Sequence, residues 1–118
     1  MLRHLVESRG WTGSVVRTVS TTRALDKLCA LYGIEIAETP IGFKFICDLM
    51  MEREILIGGE ESGGYAFRGH IPERDGIWDG LVIVEHLVKN EQKLQELIDE
   101  VYEVVGRFSY NRDDLHLK

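Results

Sequence analysis

Positive charge is scarce in this sequence: 14 lysines and arginines stand against 20 aspartates and glutamates, a formal net charge of −6 over 118 residues. A general nucleic-acid or membrane-surface binder needs a cationic field to gather phosphates, so the balance argues against both as partners. Any anionic substrate must be met by local cations. Cysteine is scarcer still. Cys29 and Cys47 fall within predicted helices, lack metal-ligand spacing, and read as small core residues of a chain kept reduced, which fits a cytoplasmic location. No apolar stretch is long enough to span a bilayer and no signal peptide is present, which leaves membrane insertion and secretion without support. Internal repeats and low-complexity runs are missing too. What is there, 44% hydrophobic and 29% charged residues, is ordinary globular composition with room for one domain around one core.

Along the chain, Leu2, Leu5 and Val6 have helical spacing up to a stop at Gly10. Val15, Val16 and Val19 give residues 14–19 the β-branched density of a short buried strand. Thr21 or Thr22 is placed to cap a helix with the stripe Leu25, Leu28, Cys29 and Tyr32, closed by Gly33 in the αL conformation. A second strand is expected over 34–37. Pro40 holds Thr39 extended, and a helix starting near Gly42 presents Ile46, Leu49 and Met50. A third strand, 55–57, runs into a glycine loop, and Tyr65, Ala66 and Phe67 suit an edge strand. Asp75 is placed to N-cap a helix whose expected buried stripe is Ile77, Leu81, Val84 and Val88. After Asn90, a last helix carries the wide apolar face Leu94, Leu97, Ile98, Val101, Val104, Val105 and Phe108. Residues 109–118 read as a polar tail or linker, leaving a domain over 1–108.

This order predicts an α/β fold: a three-layer domain with a largely parallel sheet of about four strands and flanking helices. Ligands of such sheets sit beyond the carboxyl ends of the strands. The turns 20–22, 39–44 and 58–64 are therefore expected on one edge.

The loop Gly58-Gly59-Glu60-Glu61-Ser62-Gly63-Gly64 is the chemically richest stretch. It opens like a P-loop, but Gly64 and Tyr65 stand where that motif needs Lys and Ser or Thr, and two carboxylates would repel phosphates. It also lacks the first glycine of a serine-hydrolase elbow before Ser62. Carboxylates and a hydroxyl among bare glycines suit a polyol instead. In extended geometry Glu60 and Ser62 point the same way and could grip adjacent hydroxyls. Lys44 at a helix N-terminus, and Arg68 and Arg74 around His70, are the local cations for a phosphate. The bland alternatives are a solvated acidic turn, a structural His70, and surface arginines without a ligand.

Three segments, Glu38-Thr39-Pro40-Ile41-Gly42-Phe43-Lys44-Phe45, Gly59-Glu60-Glu61-Ser62-Gly63 and His70-Ile71-Pro72-Glu73-Arg74-Asp75-Gly76, closely resemble in order and spacing the third domain of the α-D-phosphohexomutases, in their phosphoglucomutase branch. The resemblance covers nearly the whole chain. It implies a four-domain enzyme that interconverts hexose 1-phosphate and hexose 6-phosphate, such as glucose 1-phosphate and glucose 6-phosphate, through a phosphoserine of the first domain. It further implies Mg²⁺ held by aspartates of the second domain and a fourth domain that grips the phosphate not being transferred.

The third domain would supply sugar specificity. Carried over by position, Glu60 and Ser62 match the sugar-hydroxyl ligands, Gly42 and Phe43 lie in the second substrate loop beside Lys44, and Arg74 stands at a basic position near the reacting groups, with His70 in the same segment. Phe43 replaces the His of phosphomannomutase-type relatives, which leans toward glucose. The chain has no Thr-Ala-Ser-His-Asn-Pro-like serine, no Asp-Gly-Asp-x-Asp metal loop and no Arg-x-Ser-Gly-Thr phosphate loop. The expectation is therefore a piece of the enzyme, with the other three domains as its partners, inactive alone and holding no metal. The alternative is a free-standing sugar-phosphate-binding or structural module without catalysis.

Overall fold

Val15 and Val16 sit at the centre of the sheet because β-branched side chains suit a pleated surface buried on both faces. In the computed structural model, which describes residues 1–111 and 113–115, they belong to β1 (Ser14–Thr18). This strand pairs in parallel with β2 (Ile36–Thr39) on one side and β3 (Ile55–Gly59) on the other. β4 (Tyr65–Phe67) adds antiparallel to β3, giving the order β2-β1-β3-β4. β2 begins two residues later than the sequence suggests, because Gly33 (φ +64°) ends the preceding helix and Ile34 N still bonds back to Cys29 O.

Helices cover both faces, so the expected three-layer α/β architecture is what the chain forms. One face carries α2 (Phe43–Glu52), packed through Phe43 and Ile46 on Val16, Ile55 and Ala66. Against the other lie the N-terminal π-helical turn (His4–Ser8), α1 (Ala24–Tyr32), α3 (Gly76–Lys89) and α4 (Leu94–Val105), around Leu5, Val15, Leu28, Cys29, Leu56, Phe67, Val82 and Val105. Cys29 is buried there and Cys47 half-buried on α2, both as free thiols. Burial pushes the Cys29 thiol up to about 11.

The caps follow the sequence closely. Asp75 accepts from Ile77 N and Trp78 N at the start of α3, both at 3.1 Å. Thr22 Oγ1 accepts from Ala24 N at 3.2 Å just before α1. The face of α3 is a correction. Ile77, Leu81, Val84 and Val88 are exposed, Ile77 at 81%, while Val82, Asp79 and His86 are buried with Trp78 partly covered beside them. α4 is likewise less covered than its apolar pattern suggests: Val105 is buried, whereas Leu94, Ile98 and Val104 are exposed.

Residues 109–111 and 113–115 of the expected tail form neither helix nor strand, and the tail's Arg112 and residues 116–118 lie outside the described residues. Among the described residues, no helix is long and apolar enough to cross a membrane.

Candidate functional site

The carboxyl end of β3 is shaped by glycine. A Cβ on Gly58 would lie 2.3 Å from Ile46 Cγ2, so the helix α2 packs where only a bare backbone fits. Gly59 pairs with Tyr65 across the β3–β4 hairpin, and the loop between them closes on itself through Glu60 N to Gly64 O (3.0 Å) and Gly63 N to Glu60 O (3.1 Å), with Gly63 at φ +86°. The segment is thus a tight turn and not the extended run on which the Glu60 and Ser62 alternation rests. Ser62 is exposed at the tip of this turn.

Within it, the Glu60 side chain is 9% exposed and meets Arg74 Nη1 at 3.5 Å. Arg74 lies along the loop, its Cδ 2.6 Å from where a Gly64 Cβ would be. Its guanidinium stands 4.9 Å from the centre of the Phe43 ring, a cation–π arrangement. Phe43 is buried at the first position of α2, and Gly42, at φ +128°, turns the chain into that helix. Glu60, Phe43 and Arg74 come from three separate stretches and meet at one sheet edge.

The other expected residues are placed differently. Lys44 Nζ lies 4.8 Å over the Phe45 ring. Arg68 donates to Thr12 O at 3.2 Å, tying the hairpin to the loop before β1. His70 is built into the start of α3: its Nε2 is 2.8 Å from Asp75 Oδ2, and its ring stacks on Trp78 at 4.9 Å. That contact, with the Ile77 and Trp78 amides, holds the Asp75 carboxyl below the usual range.

Two groupings at the same edge escape sequence reasoning. Glu61 turns away from Arg74 and accepts from Ser20 Oγ at 2.6 Å and Thr18 Oγ1 at 3.2 Å. Arg17, 2% exposed, clasps Asp26 with two bonds of 2.9 and 2.8 Å and reaches Glu38 Oε2 at 2.8 Å. The Arg17 bond holds the Asp26 carboxyl below its ordinary range. The hydroxyl-rich run Thr18 to Thr22 at the end of β1 is the signal that could have revealed the first grouping. Nothing local announces the second, because its partners come from three elements. Among the described residues, no three His, Cys, Asp or Glu side chains come together to hold a metal.

Residues 1–105 match the family model described as phosphoglucomutase/phosphomannomutase, alpha/beta/alpha domain III. The chain belongs to the phosphoglucomutase/phosphomannomutase family. Its domain III identity agrees with the layered sheet just described. Phosphoglucomutase-2 of Paramecium tetraurelia is 38% identical over 117 residues, covering 94% of this chain and 20% of that protein. The phosphoglucomutase of Schizosaccharomyces pombe is 34% identical over 111 residues, covering 89% and 20%. A solved Thermus thermophilus chain described as a phosphomannomutase superposes with a TM-score of 0.80 at 36% identity, covering 85% of this chain and 23% of that one. This domain III spans about a fifth of the length of the curated relatives it matches.

Proposed function

We propose that this chain is the sugar-hydroxyl-binding, specificity-setting unit of a phosphohexomutase that interconverts hexose 1-phosphate and hexose 6-phosphate through a phosphoserine carried elsewhere in a longer enzyme. The observation that carries the reading is the meeting of Glu60, Arg74 and Phe43: a mostly buried carboxylate, a cation and an aromatic from the three family-like segments. A carboxylate already desolvated by the protein bonds sugar hydroxyls more strongly than one in water. Arg74, half-exposed and shared with Glu60 and Glu73, is the cation positioned to turn toward a phosphate. Ser62 at the turn tip and the start of α2 over Gly42–Lys44 complete the sugar-facing rim, with His70 fixing the segment that carries Arg74.

In this reading the chain, with its domain over 1–108 and a linker over 109–118, holds and orients the sugar, while phosphoryl transfer occurs on the other domains in the cytoplasm. Mg²⁺ belongs to one of those domains. Among the described residues of this chain, no three His, Cys, Asp or Glu side chains come together to fit the ion.

An NMR titration of the chain with glucose 1-phosphate tests the proposal. Shift changes concentrated at residues 42–44, 59–64 and 74 are expected, together with no mutase turnover by the chain alone. Unperturbed amides in the glycine turn at millimolar ligand overturn the binding role, and turnover by the chain alone overturns the division of labour.

A further inference from the structure

Resting on the sugar-binding reading above, we propose that Glu61 is the positioning residue that anchors the glycine turn to the β1–α1 turn, so that Glu60 and Ser62 are presented to the sugar. Neighbours in sequence, Glu60 and Glu61 face opposite ways. Glu60 goes to Arg74, and Glu61 reaches 41 residues back to Ser20.

The direction of the hydrogen bonds follows from the carboxylate. An ionised carboxylate only accepts, so Ser20 Oγ (2.6 Å) and Thr18 Oγ1 (3.2 Å) both donate to Glu61 Oε2. Thr18 then has its lone pairs free to accept from Thr21 Oγ1 at 2.8 Å. Thr18 is fully buried and Thr21 nearly so, which makes the base of this chain rigid. Thr21 Oγ1 also lies 3.4 Å from Gly59 O, at the root of the same turn. Glu61 is thus the end point of a one-way relay, Thr21 to Thr18 to carboxylate, joined by Ser20.

The turn's own bonds, Glu60 N to Gly64 O and Gly63 N to Glu60 O, fix its shape. They do not fix its tilt over the sheet edge: Gly58 and Gly59 are held in the strand ladder, but Gly63 and Gly64 lie beyond it and leave the turn's backbone little resistance to tilting. The Glu61 anchor supplies that restraint. Its effect on ligand is indirect: it lowers the ordering entropy that sugar binding must otherwise supply.

The test uses the 118-residue chain. Glu61→Ala is expected to speed amide hydrogen exchange at Glu60 and Gly63, the two bonded amides of the turn, and to raise the Kd for glucose 1-phosphate, each roughly tenfold, as for loss of a charge-assisted bond. Glu61→Gln, which keeps one acceptor, should stay within about threefold of wild type. Ser20→Ala should give an intermediate loss, and Glu61→Ala with Ser20→Ala should be no worse than Glu61→Ala alone. If Glu61→Ala does not fold, Ser20→Ala carries the same comparison. Wild-type exchange and Kd in Glu61→Ala, or additive losses in the pair, overturn the anchor. If the wild-type chain binds no sugar phosphate, the sugar-binding reading fails, and the exchange rates alone still decide whether Glu61 restrains the turn.

Discussion

His4 and His86 meet Nδ1 to Nδ1 at 2.9 Å between the N-terminal π-helical turn and α3. Only one proton fits between two ring nitrogens at that distance. The Asn90 amide donates to His86 Nδ1 at 3.2 Å, so that nitrogen accepts and His4 supplies the proton. His4 Nε2 faces Glu85 Oε2 at 3.1 Å. Lys89, Arg9 and His4 together draw the Glu85 carboxyl down to about 2. Burial first, and the neighbouring His4 second, hold His86 below its ordinary value of 6.5.

Stability should therefore fall as pH drops below about 6.5. There the unfolded chain takes up a proton on His86 and the folded chain does not, so unfolding is favoured by up to ~1.4 kcal/mol per pH unit until the lower folded pKa is reached. His86→Gln, which does not titrate, should flatten this slope. Urea denaturation at about pH 5.5 and about pH 7.5 measures it, and equal slopes in variant and wild type would sink the idea.

Arg17→Ala should cost about 3 kcal/mol, at the low end for breaking a buried ion pair because Asp26 and Glu38 keep some access to water. Arg17→Lys should recover only part, since an ammonium cannot make the two parallel bonds to Asp26. Denaturant midpoints decide it; a loss below about 1 kcal/mol means the clasp is not a net contributor.

Gly58→Ala should destabilise by about 1–3 kcal/mol through overpacking against Ile46. Adding Ile46→Leu, which removes the branch carrying Cγ2, should recover part of the loss. Ile46→Val, which keeps that branch, should not. Identical behaviour of the two pairs would show that the cost lies elsewhere.

Glu60→Ala should weaken hexose-phosphate recognition by about 2–4 kcal/mol if both sugar-hydroxyl contacts go unpaired. It should also release Arg74 from its ion pair. The Kd of this chain for glucose 1-phosphate, or kcat/KM of an enzyme containing it, provides the measurement. An unchanged value removes Glu60 from the site.

On α3, Leu81→Lys and Val84→Glu should each leave stability within about 0.5 kcal/mol, because both side chains are exposed. Val82→Ala, on the buried face, should cost about 1–3 kcal/mol. Thermal melts of the three variants compare the two faces directly. The opposite ranking would restore the stripe that hydrophobicity alone selects.

That helix marks the limit of what the sequence discloses. Periodicity favours the aliphatic row at 77, 81, 84 and 88, yet the face turned inward carries Trp78, Asp79 and His86 with Val82. His86 is drawn inward with a partner from far along the chain, His4 across 82 positions, while Trp78 Nε1 and His86 Nε2 are buried with no hydrogen-bond partner among the described residues. Short-range signals fared better. Asp75 caps α3 and Gly33 ends α1 in αL as read, since each needs only its immediate neighbours.

The same division holds at the sheet edge. That the turns after β1, β2 and β3 share an edge follows from strand order. That Arg74 leans on Phe43, or that Glu61 turns back to Ser20, depends on side-chain directions no spacing encodes.

The seat of Ile46 on Gly58 has a consequence for the dimensions of the site. Ile55, Leu56 and Ile57 all carry side chains, so along this strand α2 finds its notch at Gly58. Phe43 lies one turn before Ile46, and Glu60 two residues beyond Gly58. The gap between aromatic and carboxylate is therefore tied to how closely α2 seats on β3, with the Ile46 methyl over Gly58 and the buried Phe43 ring both part of that seat.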